Sequence, residues 1–238
     1  MKTKPHPRYR LIVLDWDGTV MDSGDKIANC FRAAAREAGF PEPEPDAVKR
    51  YIGTSLSTMC RALYPGTAPA QAAQVVEGYR KYWNHLDRTP VQLYPGVQTG
   101  LHALAEAGFL LAIATGKSRE GLDRVLDRTN LRPWFVYSRC ADESHPKPHP
   151  KMLLDILAYT GMAATESLMI GDTTFDLRMA KAAGMDGLGI GHGYHSKEEL
   201  ESCGNLPVAG NFPELTAWLL DPGRTGTGQA SCRTNLRE

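Results

Sequence analysis

Four consecutive apolar residues, Leu11 to Leu14, run directly into Asp15, Trp16, Asp17, Gly18 and Thr19. The run is too short for a helix and shows no polar alternation, so it reads as a strand buried on both faces. Strands of that kind belong to parallel sheets covered by helices on each side. In such sheets ligands bind just beyond the carboxyl ends of the strands. Asp15 and Asp17 stand at that place, where two acids are positioned to do chemistry.

The rest of the chain repeats the alternation, after one long interruption. Behind Ser23 the period changes to that of a helix, with Ile27, Phe31, Ala34, Ala35 and Ala38 on one face and Gly39 as a stop. Pro41 to Pro45 makes a stiff break, and further helices are expected at about 46–51, 55–63 and 69–88 with no strand between them. A helical block of about seventy residues is far longer than an ordinary crossover and predicts an inserted domain over 23–93. Tyr94, Pro95 and Gly96 signal a turn back to the main domain. Strands are then expected at 109–114, 134–137, 167–170 and 187–190, alternating with helices at 97–107, 119–129, 150–160 and up to Ala183. The pattern predicts an α/β fold, a doubly wound parallel sheet with an inserted α-helical domain, the sheet domain being built from 1–22 and 94–221. Glycines, threonines and charges from Pro222 onward predict a mobile tail over 222–238.

Composition narrows the class of partner. Lysine plus arginine and aspartate plus glutamate balance at 27 each in 238 residues, which gives no overall basic footprint for nucleic acid. No stretch reaches membrane-spanning length, and the apolar run after the basic start is too short for a signal-peptide core. The five cysteines are widely spaced without a CxxC pair, which speaks against a disulfide framework or a zinc site and for a reducing compartment. The expectation is a cytoplasmic protein acting on a small molecule.

Three further stretches place polar residues at the same sheet edge. Ala112 to Lys117 ends a strand with Thr115, which offers a hydroxyl, and Gly116, whose backbone a phosphate could approach closely. Lys147 lies beside a helix start marked by Pro148 and Pro150, on the unfavourable side of the helix dipole, a placement that makes sense if an anion sits there too. Lys151 is the second candidate for that place. Asp172 follows the strand 167–170, with Asp176 four positions on. Like charges gathered at one site repel, so acids held together there call for a cation such as Mg²⁺. His145 with His149, and His192 with His195, lie in proline- or glycine-rich loops without a third ligand at a suggestive spacing, and they are not read as metal sites.

Residues 15–23, reading DWDGTVMDS, resemble the first motif of the haloacid dehalogenase superfamily, and Thr115, Lys147 and the GDTTFD stretch resemble its second, third and fourth motifs in the expected order. The helical insertion resembles the cap of that superfamily's phosphoglycolate phosphatase and β-phosphoglucomutase branch. The resemblance implies a Mg²⁺-dependent phosphatase acting on a small phosphorylated metabolite. It implies Asp15 as the nucleophile that takes the phosphoryl group and Asp17 as the acid and base for the leaving oxygen and the attacking water. Thr115, Gly116 and Lys147 are then phosphate-binding. The metal is held by Asp15, Asp172 and the Asp17 carbonyl, with Asp176 as a ligand or an acceptor just behind. Arg50, Thr54 and Ser55, in a loop between early cap helices, become candidates for substrate choice. A phosphomutase on the same scaffold is the alternative. A metal-free dehalogenase and a non-catalytic binding protein fit the residues less well, because neither needs the whole set.

Overall fold

The computed structural model describes residues 8–221, so the expected tail lies outside the described residues. The chain opens with β1 (Leu11–Leu14) and, after a tight turn, the two-residue β2 (Met21–Asp22). Four helices follow: α1 (Gly24–Glu37), α2 (Pro45–Lys49), α3 (Leu56–Leu63) and α4 (Pro69–Lys81), the last running into a π-helical turn at Tyr82–Leu86. The chain returns through β3 (Gln92–Leu93) to α5 (Val97–Glu106), β4 (Leu110–Thr115), α6 (Arg119–Thr129), β5 (Tyr137–Cys140) and α7 (Lys151–Thr160). It ends with β6 (Ser167–Gly171), α8 (Thr174–Ala182), β7 (Asp186–Gly189), α9 (Lys197–Cys203) and α10 (Phe212–Leu220).

Five strands form one parallel sheet in the order β5-β4-β1-β6-β7, which is the doubly wound architecture the sequence predicts. β1 is central, with Leu14 opposite Ile113 on one side and Ile170 on the other. Successive side chains of a strand point to opposite faces. Ile12 and Leu14 accordingly enter one core layer with Leu101 and Leu104 of α5 and Leu215 and Leu219 of α10, while Leu11 and Val13 enter a second layer with Met152 and Ile156 of α7 and Met179 of α8. Because the chain lays down β4 and β5 on one side of β1 and then crosses to β6 and β7 on the other, the winding reverses beside β1. That reversal opens a crevice at the strands' carboxyl ends.

Helices α1 to α4 bury a separate apolar cluster of their own that includes Ile27, Phe31, Ala35, Val48, Ile52, Met59 and Val75. The α1 residues in it recur at helical spacing, as the sequence pattern requires. Both passages between this helical unit and the sheet domain lie side by side, because β2 and β3 pair antiparallel through Met21 with Leu93 and Asp22 with Gln92.

Four local expectations change. The strand expected at 134–137 is displaced: Arg132–Trp134 forms a 3-10 turn with Pro133 inside it, and the strand is Tyr137–Cys140. An edge strand pairs on one side only, which is why polar Ser138 and Arg139 are tolerated there and why apolar content was a poor guide. The helix expected over 69–88 keeps α-helical pitch only to Lys81. The β2–β3 ribbon is too short to show a period of two. Finally, two helices follow β7, each with a start signal readable in the sequence: Ser196 caps α9 by accepting from the Glu199 N–H, and Asn211 caps α10 by accepting from the Glu214 N–H. Among the described residues no helix is long and apolar enough to cross a membrane.

Candidate active site

Register brings the sequence motifs to one place. Asp15 follows β1 directly, and its N–H donates to the Ile170 carbonyl at 2.9 Å, which locks the ends of β1 and β6 together. Asp172 follows β6, and Thr115 closes β4 on the other flank of β1. Asp15, Thr115, Asp172 and Asp176 are fully buried, and Lys147 is 2% exposed.

One carboxylate oxygen from each of Asp15, Asp172 and Asp176 lies within 4.8 Å of the others, an arrangement able to hold a metal ion. Lys147 Nζ stands 2.7 Å from Asp15 Oδ1 and 2.6 Å from Asp176 Oδ1. Lys147 thus faces two of the three clustered acids, all of them buried. Burial, above all, pushes the Asp15 carboxyl up to about 7; Asp176 and Asp17 add to the rise and Lys147 opposes it. Asp172 is driven well up as well, by burial first and then by Asp15 and Asp176. Burial pulls the Lys147 ammonium down, but Asp15 and Asp176 outweigh it and hold it charged.

The hydrogen bonds separate the roles. Asp172 is positioned by two donors, Thr19 Oγ1 at 2.9 Å on Oδ1 and the Tyr194 N–H at 3.0 Å on Oδ2. Asp176 gives Oδ1 to Lys147 and Oδ2 to the N–H and hydroxyl of Thr173, at 3.2 and 2.7 Å. With both oxygens engaged it is the best-satisfied of the three acids. Asp15 differs: its two oxygens are buried and accept no hydrogen bond, Lys147 being close but off the angle of one. Lys147 forms an ion pair with Oδ1, whereas Oδ2 is buried with no partner, which is costly unless a cation or an electrophile completes it. The donor set is all oxygen, which suits a hard cation such as Mg²⁺.

Asp17 is turned away from that cluster. Its Oδ1 accepts from Ser23 Oγ at 2.5 Å and from Lys117 Nζ at 2.9 Å, and Oδ2 accepts from the same ammonium at 3.0 Å. Its side chain is therefore committed to Ser23 and Lys117, which leaves only its carbonyl for a metal. Thr115 Oγ1 accepts from the Lys117 N–H at 3.2 Å, so the β4 end carries Lys117 towards Asp17. Sequence reasoning gave Lys117 no role, although it completes the same Thr-Gly-Lys stretch. It read Thr19 and Ser23 only as parts of the first motif, and it missed Tyr194.

The other candidates fall in different surroundings. A Cβ added at Gly116 would lie 2.5 Å from the Thr54 carbonyl oxygen and 2.7 Å from that of Gly53, so glycine there lets the helical unit rest on the strand end. Thr54 is buried beside the cavity next to Asp17. Ser55 caps α3, accepting from the Thr58 N–H at 3.2 Å. Arg50 pairs with Glu199 at 2.9 Å on the exterior, away from that cavity. Lys151 pairs with Asp155 in the first turn of α7, so Lys147 alone fills the site. His195 Nδ1 accepts from the Thr174 N–H at 3.2 Å, which leaves Nε2 to donate to the Arg50 carbonyl at 3.1 Å and tie the helical unit to α8. His192 stacks on Tyr94 with ring centroids 3.8 Å apart, and burial lowers its pKa. His145 and His149 stack on each other at 4.4 Å, and none of the four joins the acidic cluster.

Comparison with known proteins gives the same answer as the geometry. Residues 12–190 match the family model for haloacid dehalogenase-like hydrolases. The chain is 32% identical to "Probable phosphatase IndB" of Dickeya dadantii over 211 residues, 86% of this chain and 91% of that protein. It is 31% identical to the phosphoglycolate phosphatase of Vibrio cholerae over 202 residues, covering 82% of this chain and 89% of that one. Among solved structures, a haloacid dehalogenase-like hydrolase from Bacteroides fragilis superposes with a TM-score of 0.82 at 26% identity, over 87% of this chain and 100% of that one. The sheet, the buried acids at its carboxyl edge and these matches lead to one assignment: the chain is an enzyme of the haloacid dehalogenase-like hydrolase family.

Proposed function

We propose that this enzyme, like the phosphatases it is similar to, hydrolyses a small phosphomonoester, that it does so through an aspartyl-phosphate on Asp15, and that it uses Mg²⁺. The observation that carries the reading is Asp15 itself, a buried carboxylate at the end of the central strand with Oδ1 ion-paired to Lys147 and Oδ2 without a partner. Mg²⁺ held by Asp15, Asp172 and the Asp17 carbonyl would neutralise the surplus negative charge and draw phosphoryl oxygens towards Asp15. Asp176 serves as the acceptor behind them, fixing Lys147.

Asp15 forms a bond to phosphorus as the ester P–O bond breaks, and the departing alcohol oxygen takes a proton from Asp17. A water oxygen then attacks the same phosphorus and passes a proton to Asp17. The bond between Asp15 and phosphorus breaks, and inorganic phosphate leaves. Lys147 and Thr115 stabilise charge on the transferring group. Ser23 and Lys117 hold the Asp17 carboxylate in one orientation through both steps. The helical unit, resting on Gly116, closes the site to bulk water while the phosphoryl group moves. The relatives named above are phosphatases, and hydrolysis rather than mutase chemistry is taken forward for that reason.

The test is phosphate release from p-nitrophenyl phosphate and a panel of metabolite phosphates, with Mg²⁺ and with chelator. Asp15→Asn keeps the size of the side chain and is expected to lower kcat at least about a thousandfold with the fold intact by circular dichroism. Near-normal turnover in that variant overturns the covalent mechanism.

A further inference from the structure

Next to Asp17, between the β4 end and the helical unit, lies a cavity of about 100 Å³. A single water needs roughly 10–15 Å³ on this scale, so the space admits a compact organic group. If Asp17 protonates the departing oxygen, whatever is attached to that oxygen lies beyond Asp17, in this cavity. The chemistry of its wall therefore reports the alcohol half of the ester.

The wall contributed by the helical unit is mainly apolar, with Ile27, Ile52, Leu56, Met59 and the rings of Tyr79 and Trp83, and has Thr54, Arg80 and Asn84 as its polar members. Tyr79 and Trp83 stack on each other with centroids 5.8 Å apart and planes 21° apart, and both line the cavity as one aromatic group. The cations that line the cavity already have partners. Lys117 pairs with Asp17 at 2.9 Å and lies 4.8 Å from the Trp83 ring. Arg124 pairs with Glu120 at 2.5 Å and also bonds Asn84, and Arg80 pairs with Glu77 at 3.6 Å. A carboxylate-bearing group such as glycolate would lose its water against the apolar wall and would meet cations that already hold side-chain partners, Lys117 on Asp17 and Trp83, Arg124 on Glu120 and Arg80 on Glu77. A ring would replace water on surfaces that gain from losing it.

We infer that the leaving group is an uncharged alcohol carrying an apolar or aromatic ring, seated between Trp83, Tyr79 and Leu56, rather than a short hydroxy acid. The inference rests on the phosphatase reading. Benzyl phosphate, ethyl phosphate and 2-phosphoglycolate are all esters of aliphatic alcohols, so comparing them separates recognition from the leaving group's intrinsic reactivity better than an aryl phosphate does.

With Mg²⁺, kcat/KM for benzyl phosphate is expected to exceed that for 2-phosphoglycolate at least about tenfold, and that for ethyl phosphate by a similar factor. Trp83→Ala should collapse the benzyl-to-ethyl ratio towards one, and Trp83→Phe should restore most of it. Leu56→Lys, at a half-buried position, should shift the preference towards 2-phosphoglycolate by giving the pocket a cation without an acid partner. Equal or better use of 2-phosphoglycolate by the unaltered enzyme overturns the inference and leaves the phosphatase reading standing, as does a benzyl-to-ethyl ratio that Trp83→Ala does not change. Absence of phosphate release from every ester, with Asp15→Asn indistinguishable from the unaltered protein, overturns both.

Discussion

Asp172 is held by Thr19 and Tyr194 in a place where its charge repels that of Asp15 and Asp176. Asn in its position could still accept from the Tyr194 N–H, while its amide N–H₂ donates to a Thr19 hydroxyl that simply rotates to accept. The cost of either holding that buried charge or protonating it on folding is thereby removed, and both side chains keep a partner. Asp172→Asn is accordingly expected to stabilise the metal-free protein by about 1–2 kcal/mol in a urea titration while losing activity and the response to Mg²⁺. A destabilised variant would show that the acids are not in conflict. Most of the candidate site residues were legible one at a time, because Asp15, Thr115 and Asp172 each sit where an apolar run stops, and Lys147 where prolines announce a helix. Lys117 was not, since its partner Asp17 is 100 positions away and no local spacing joins them. Arg50 and Ser55 take up an outward ion pair with Glu199 and a helix cap on Thr58, and only the second of these partners is close in sequence.

At the scale of elements, the contact between the β4 end and the loop before α3 sets how closely the two halves meet. Gly116 faces the carbonyls of Gly53 and Thr54, which are backbone and cannot swing aside as a flexible side chain would. Gly116→Ala therefore pushes the helical unit outward by moving a whole loop. The expected result is a fall in kcat/KM of about tenfold or more, from displaced positioning groups, with a thermal midpoint within a few degrees of the unaltered protein. An unchanged kcat/KM would mean that the loop is not part of the working site. The core strands could be read in the sequence because burial on both faces leaves continuous apolar runs. The edge strand β5, the ribbon of β2 and β3, and the π-helical turn after α4 could not, because pairing on one side, two-residue length and a local change of helical pitch leave no mark on hydrophobic periodicity.

For the whole molecule, the same acids couple folding to pH and to metal. Asp15 and Asp172 have folded-state pKa values above the ordinary carboxylate range of about 4, with Asp15 at about 7. Between those limits the folded chain binds more protons than the unfolded one, so the stability of the metal-free protein falls as pH rises through that window. The thermal midpoint measured with chelator is expected to decline from pH 5 towards pH 8, and Mg²⁺ should flatten the decline, adding about 2.7 kcal/mol when its concentration is a hundred times its Kd. A midpoint indifferent to Mg²⁺ at pH 8 would sink the metal assignment. The general architecture followed from the alternation of strands and helices, whereas the closing helices α9 and α10 were signalled only by their caps.

The pairing of β2 with β3 has an implication for how such a chain can change. Met21 and Asp22 lie against Leu93 and Gln92, so the chain leaves the sheet domain and re-enters it at a single point on its surface. Everything between those two strands is, topologically, the loop of a hairpin. A loop can be lengthened, shortened or exchanged without altering the register of any strand in the main sheet. The buried acids at the sheet edge and the cavity wall supplied by the helical unit are therefore heritable as separate parts: a lineage can trade one wall for another while Asp15, Lys147 and Asp172 stay where the sheet puts them.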